Sequence, residues 1–188
     1  EAGQFSLAST IAVAAGAQRL LLLGDPQQLP QVSQGTHPEP VATSALGWVM
    51  AGAEVIPPEH GFFLGQSWRM HPAVAEPVSH LSYAGRLASA PGTEQRLIDG
   101  VAPGLHPIPV RHLGNATESS EEAAEVLRLV RDLVGRAYTD ESDAPTRPLT
   151  PRDIIVVAPY NAQRQLVADT LAVAGFGEVS VGTVDNFQ

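Results

Sequence analysis

The chain has 188 residues, of which 44% are hydrophobic and 16% are charged, and its formal net charge is -9. This composition is typical of one or two compact α/β units and argues against disorder and against a membrane-spanning helix, which needs roughly 20 apolar residues. The negative charge argues against a strongly basic surface for nucleic acid, and the absence of cysteine excludes disulfide bonds and agrees with a cytoplasmic location.

Hydrophobic periodicity and turn residues predict helices that alternate with strands. The predicted helices cover residues 5–15, 41–51, 72–83, 119–134 and 162–174. The predicted strands cover residues 19–23, 108–113, 153–158 and 178–183. Because the strands are largely apolar and are separated by helices, we expect an α/β fold whose parallel sheet carries helices on both faces. The pair Pro57-Pro58 is the best candidate for a boundary between two lobes.

The segment Gly24-Asp25-Pro26-Gln27-Gln28-Leu29-Pro30 follows an apolar run at residues 20–23. Side-chain amides just past the carboxyl end of a buried strand lie where open α/β sheets bind ligands. The segment resembles motif III of superfamily 1 helicases. The resemblance implies that Gln28 detects the terminal phosphate of ATP and that Asp25 orders the turn beside the nucleotide. A buried turn with satisfied amides is the structural alternative.

Two further segments resemble nucleotide-binding motifs of the same superfamily. Residues 1–4 resemble the end of the Walker B motif D-E-A-G-Q, which implies that Glu1 polarises the attacking water and that Gln4 lines the same cleft. An ordinary acidic terminus is the alternative for Glu1. The segment Trp68-Arg69-Met70-His71-Pro72 resembles motif IV, which makes Arg69 the arginine finger and Trp68 the aromatic residue that stacks on adenine. Packing in the core is the alternative for Trp68.

Two later segments resemble elements that contact nucleic acid. Pro159-Tyr160-Asn161-Ala162-Gln163 resembles the P-Y-x-x-Q element, and it joins a predicted strand to a predicted helix, where backbone N–H groups face an anion. We therefore expect Pro159, Tyr160 and Gln163 to bind a nucleic-acid phosphate, and ordinary helix capping by Asn161 is the alternative. Residues 181–188 resemble motif V, which implies that Thr183 contacts one backbone phosphate. Asp185 and Gln188 are expected to link that contact to the nucleotide cleft.

Together these motifs resemble superfamily 1 helicases of the branch that moves 5′ to 3′ on single strands, and more narrowly a bacterial subgroup fused to an upstream RecB-like nuclease. The resemblance implies RecA-like lobes of the P-loop NTPase fold, with residues 1–58 ending the first lobe and residues 59–188 forming the second. It implies ATP and Mg²⁺ as ligands, with the Mg²⁺-binding aspartate outside the chain and no metal site within it. Single-stranded nucleic acid is the implied partner, with DNA favoured over RNA and DNA repair as the setting.

The implied activity is ATP-dependent translocation and duplex unwinding by the parent protein. The chain contains no lysine, whereas a Walker A loop needs one on the β and γ phosphates, so we expect these 188 residues alone to be inactive as an ATPase. Two other functions stay open. The first alternative is that the parent protein is an ATPase that displaces bound proteins from nucleic acid, using the same residues. The second is that it is a catalytically dead binding module.

Overall fold

The computed structural model describes residues 2–28, 35–140 and 145–187. The chain forms two compact units, one made of Glu1–Met70 and Ala75–Ala90, the other of His71–Val74 and Pro91–Gln188. The predicted boundary at residue 58 falls inside the first unit, so the assignment of residues to two RecA-like lobes stays a prediction.

The five predicted helices are formed, four of them with shorter bounds and the last shifted by one residue. They are α1 (Leu7–Ala14), α2 (Ala45–Met50), α3 (Pro72–Ser82), α4 (Ser120–Leu133) and α5 (Asn161–Val173). Serine side chains cap three of them, because the hydroxyl groups of Ser6, Ser44 and Ser119 each accept a backbone N–H from the first turn. Gly175, with a φ of 87°, follows the end of α5, where a left-handed residue commonly ends a helix.

The strands are short and belong to three separate sheets. They are β1 (Gln66–Ser67), β2 (Ala88–Ser89), β3 (Leu97–Ile98), β4 (Ala137–Thr139), β5 (Arg147–Pro148), β6 (Ile155–Val157) and β7 (Ser180–Gly182). The β1–β2 and β6–β7 pairs are parallel, whereas β3, β4 and β5 form an antiparallel sheet. The α/β class is therefore observed, but the described residues do not form one continuous RecA-like sheet.

Two predicted strands are wrong. Residues 19–23 and 108–113 are irregular, and Leu21 is 82% exposed. An apolar run becomes a strand only when a neighbouring segment pairs with its backbone. In the first run, the carbonyl of Leu23 accepts from the N–H of Ala2, but no ladder develops among the described residues. Conversely, the sequence predicts no strand between residues 135 and 152, where the structure forms β4 paired with β5.

The core of the second unit lies between α4, α5 and one face of the β6–β7 sheet. Its buried members are Ala123, Val130, Val167, Leu171 and Val179. Val156 and Val181 pack against this cluster from the sheet, whereas Ile155 and Val157 face away and are 60% and 51% exposed. Helices were predicted on both faces of the sheet, and in the described residues this pair of strands carries them on one face.

The helices of the described residues are too short or too polar to cross a membrane.

Candidate nucleotide and nucleic-acid sites

The turn that resembles motif III is ordered by the carboxylate of Asp25. Its Oδ1 accepts a hydrogen bond of 3.0 Å from the backbone N–H of Gln27, which is the geometry of an Asx turn. Its Oδ2 accepts one of 3.3 Å from Nε2 of Gln28. The two glutamines therefore have different roles, because the side chain of Gln27 turns away and donates to the carbonyl of Glu54 at 3.1 Å. Only Gln28 has its amide tied to the carboxylate.

The segment that resembles the end of Walker B lies directly against this turn. The N–H of Ala2 donates to the carbonyl of Leu23 at 2.8 Å. A Cβ on Gly3 would collide with the carbonyl oxygen of Asp25, and one on Gly24 would lie 2.6 Å from the nitrogen of Gly3. The two glycines thus permit a backbone contact that no other residue allows. Gln4 follows and is half-buried, whereas Glu1 lies outside the described residues.

In the motif IV segment, Trp68 and Arg69 are both exposed, and both belong to the same compact unit as the turn. Trp68 is 69% exposed, so it does not pack in the core, and its indole face is accessible to a planar ligand. Arg69 is also exposed, and its positive charge acts to lower the pKa of Tyr83. Burial of Tyr83 and its contact with Asp25 outweigh this effect, so the pKa of Tyr83 is raised overall.

Tyr83 is the member of this group that sequence reasoning missed. Its hydroxyl donates a hydrogen bond of 2.6 Å to Oδ2 of Asp25. Burial of the phenol, followed by the hydrogen bond and the charge of Asp25, raises the pKa of Tyr83 to about 12, which keeps it a donor at physiological pH. A tyrosine at the end of an amphipathic helix carries no sequence signal of a contact 58 residues away.

The two predicted nucleic-acid segments meet at one edge of the second unit. In the parallel pair, Val157 at the end of β6 lies opposite Gly182 at the end of β7, and the N–H of Ala158 donates to the carbonyl of Gly182 at 2.9 Å. Tyr160 and Thr183 therefore follow neighbouring strand ends. The carboxyl edge of a parallel sheet is the usual place for a ligand.

The side chains at this edge differ in their exposure to solvent and in the hydrogen bonds that they already make. Pro159 is exposed and Tyr160 is 52% exposed, directly before the first turn of α5. Thr183 is half-buried, and both its N–H and its hydroxyl donate to Oδ1 of Asn186, at 2.9 and 3.1 Å. Asp185 is exposed, and Gln188 lies outside the described residues.

Family comparison agrees with these motifs. A family model described as an AAA domain, AAA_12, matches residues 49–188. The chain belongs to this AAA domain family. The match fits a superfamily 1 helicase region, and an AAA domain implies a P-loop NTPase fold and a nucleotide hydrolase. No curated protein matches the chain.

Within this AAA domain, Gln163 is committed to an internal contact. It is 5% exposed, its Oε1 accepts from the N–H of Ser119 at 2.6 Å, and its Nε2 donates to the carbonyl of Ser119 at 3.2 Å. The spacing of Ser119 and Glu122 is typical of a capping box, in which the Glu122 side chain would accept the N–H of Ser119, whereas Gln163 accepts it in the structure. The geometry favours a structural role for Gln163, and its contact with nucleic acid stays a prediction.

The first unit carries three kinds of side chain that can bind a nucleotide. An amide, a guanidinium and an exposed indole lie in one compact unit and match phosphate oxygens and a purine ring in chemistry. Among residues 2–28, 35–140 and 145–187, no group of three or more histidine or acidic side chains is arranged to hold a metal ion.

Proposed function

We propose that this AAA domain is part of an ATP-dependent translocase that moves on single-stranded DNA and separates duplexes. The observation that carries the proposal is the pairing of Gln28 with Asp25, in the same compact unit as Arg69. An amide held beside a fixed carboxylate can donate its second N–H to a phosphate oxygen and release it when the terminal phosphate is lost.

The residues of the chain have separate tasks in this proposal. Trp68 stacks on adenine, Gln28 donates to the terminal phosphate, and Arg69 pairs with the charge that develops during phosphoryl transfer. Glu1 orients the attacking water in the same site. Tyr160 and Thr183 bind the nucleic-acid backbone at the carboxyl edge of β6 and β7, where contacts are indifferent to sequence. Alternation between the ATP-bound and ATP-free states changes how these two residues bind the nucleic acid, and this change moves the strand.

The proposal is tested by ATP hydrolysis in the full-length protein with and without single-stranded DNA. Gln28→Ala should lower stimulated kcat about a hundredfold, as loss of one transition-state donor commonly does. Gln27→Ala is the matched control, because its neighbouring amide donates to a backbone carbonyl instead, and it should keep kcat. Equal losses in the two variants would contradict the proposal.

The arginine finger has its own comparison. Arg69→Ala should lower kcat by about a thousandfold or more, because such a finger is worth roughly 10³ to 10⁵ in rate. Arg131→Ala, an exposed arginine on α4, should leave kcat unchanged. A strand-separation assay beside a protein-displacement assay then decides which work the hydrolysis drives. Absence of ATP hydrolysis by the full-length protein would favour a binding module instead.

The finer family placement is part of the same proposal. We infer movement from 5′ to 3′ and an upstream RecB-like nuclease from the motif IV and P-Y-x-x-Q segments. Strand separation on substrates with a single 5′ or 3′ overhang tests the polarity. A metal-dependent nuclease assay on the full-length protein tests the fusion. The 188-residue chain, which contains no lysine, is expected to show no ATP hydrolysis by itself.

A further inference from the structure

We propose that Tyr83 is a positioning residue for Gln28, acting through Asp25. This inference rests on the proposed function of the motif III turn and adds a residue that no helicase motif of the chain contains. It starts from one oxygen atom. Oδ2 of Asp25 accepts both from the hydroxyl of Tyr83 at 2.6 Å and from Nε2 of Gln28 at 3.3 Å.

The carboxylate is fixed on both of its oxygens. Oδ1 accepts from the backbone N–H of Gln27 at 3.0 Å, and Oδ2 accepts the short, charge-assisted bond from Tyr83. Among the residues that the structure describes, the other hydrogen bonds to the carboxylate of Asp25 come from its own turn, within three residues. Tyr83 is thus the contact that holds the carboxylate, and with it the amide of Gln28, against a distant part of the chain.

Tyr83 is itself held in place through its backbone and its ring. Its backbone N–H donates to the carbonyl of Ser79 in the last turn of α3 at 2.9 Å. Its ring lies 6.0 Å from the ring of Phe63, with the planes tilted by 38°, and the guanidinium of Arg86 lies 5.4 Å from the centre of the Phe63 ring. A positioning group must have its own geometry fixed by packing, and Tyr83 meets this requirement.

Helix α3 connects the arginine finger to Tyr83 along the chain. Arg69 lies three residues before Pro72, where α3 begins, and Tyr83 comes directly after its last residue, Ser82. A displacement of α3 that moves Arg69 therefore also moves the hydroxyl that holds Asp25. In this way Tyr83 makes the orientation of Gln28 depend on the position of the helix behind Arg69.

The test uses Tyr83→Phe in the full-length protein, which removes the hydroxyl and keeps the ring that packs on Phe63. We expect stimulated kcat to fall about tenfold while the KM for ATP stays within about twofold, because the amide is misplaced and the other nucleotide contacts are intact. Tyr138→Phe is the matched control. Tyr138 is a half-buried tyrosine of the second unit whose pKa is also raised, by burial and by Asp140, and its variant should keep kcat.

A purely structural role is distinguished by combining variants. In a Gln28→Ala background, Tyr83→Phe should change kcat by less than about twofold, because no amide remains to be positioned. A tenfold loss in both backgrounds overturns the proposal. So does a Tyr83→Phe enzyme with wild-type kcat.

Failure of the proposed function is recognised separately. If the full-length wild-type protein hydrolyses no ATP, the positioning is judged on protein labelled with isotopic glutamine. The side-chain NH₂ resonance that disappears in Gln28→Ala identifies Gln28. Tyr83→Phe should shift this resonance and Tyr138→Phe should leave it in place. An unshifted Gln28 resonance in Tyr83→Phe overturns the inference whatever the ATPase result.

Discussion

Gln163 joins the start of α5 to the start of α4 by pairing its side-chain amide with the backbone of Ser119. Both groups of the amide are used, one accepting from the N–H and one donating to the carbonyl. Ser119 is also the cap of α4, since its hydroxyl accepts the N–H of Glu122 at 3.2 Å. A single buried amide therefore fixes the two helices whose packing forms the core of the second unit.

Replacement of this amide should destabilise the chain. Gln163→Ala leaves the buried N–H and carbonyl of Ser119 unpaired, and we expect a loss of about 2 to 4 kcal/mol in the free energy of unfolding. Gln163→Glu should also destabilise, because a carboxylate oxygen then faces the Ser119 carbonyl. Urea denaturation measures both changes. Gln165→Ala, which removes an exposed amide bonded to Asp169, is the control and should cost less than about 0.5 kcal/mol. An unchanged midpoint for Gln163→Ala would contradict this account.

The exposure of Trp68 leads to a prediction about ATP affinity. Because the indole is 69% exposed, Trp68→Ala should leave the stability of the fold nearly unchanged. It should raise the KM for ATP about tenfold or more through loss of stacking, which is worth roughly 1–3 kcal/mol per base. Trp68→Phe should recover most of the affinity. Steady-state kinetics of the full-length protein provide the measurement, with Trp48→Ala as control, since Trp48 is 55% exposed on α2. A marked loss of stability in Trp68→Ala with unchanged KM would instead indicate a packing role.

Thr183 should contribute an uncharged contact to nucleic acid. Its hydroxyl donates to Asn186, so binding a phosphate requires the hydroxyl to rotate. Thr183→Val should weaken binding of single-stranded DNA about fivefold and leave the salt dependence unchanged, because no ionic contact is lost. Thr183→Ser should bind like the wild type. Thr170→Val is the control, because that hydroxyl bonds Leu166 within α5. Fluorescence anisotropy at several salt concentrations distinguishes the outcomes, and a changed salt slope would argue against this contact.

Tyr83 should give the protein a measurable dependence on high pH. Its pKa is raised from 10.0 to about 12, so the folded state holds the phenolic proton more tightly than the unfolded state does. The resulting stabilisation is fully present below pH 10 and is lost as the pH rises through about 12. Ultraviolet titration of tyrosinate in the wild type and in Tyr83→Phe isolates this group.

The cause of that shift is separately testable. Asp25→Asn should bring the pKa of Tyr83 down toward 10.0, because the hydrogen bond to a charged carboxylate and its repulsion of tyrosinate are both lost. Burial of the ring remains and keeps part of the shift. Asp140→Asn should lower the pKa of Tyr138 instead and leave Tyr83 unchanged. If the pKa of Tyr83 is the same in Asp25→Asn as in the wild type, burial alone is responsible for the shift.

Local patterns were sufficient where one segment carries its own signal. Ser119 followed by an apolar stripe from Ala123 is typical of a capped helix, and Gly175 is typical of a helix end, because caps and helical periodicity act within a few residues. The Gly-Asp-Pro turn was also recognisable. Asp25 orders its own turn through Gln27, so nearby sequence is enough to specify it.

Pairing between distant segments was not predictable in the same way. The runs at residues 20–23 and 108–113 are apolar enough for strands, but a strand exists only when a partner supplies its hydrogen bonds. The same holds for side chains. The sequence around Gln163 does not indicate that its amide will hydrogen-bond the backbone of Ser119, and the sequence around Tyr83 does not indicate a hydrogen bond to Asp25.

By itself the sequence determined the helices, the motif segments and the exclusion of a Walker A lysine within these residues, because each depends on residue identity over a short span. The tertiary structure alone decided that Trp68 faces solvent, that Gln163 is an internal clamp and that Tyr83 holds the carboxylate beside Gln28. The physical reason is that burial and hydrogen-bond partners are properties of segments brought together from distant parts of the chain, and no local pattern encodes which segments will meet.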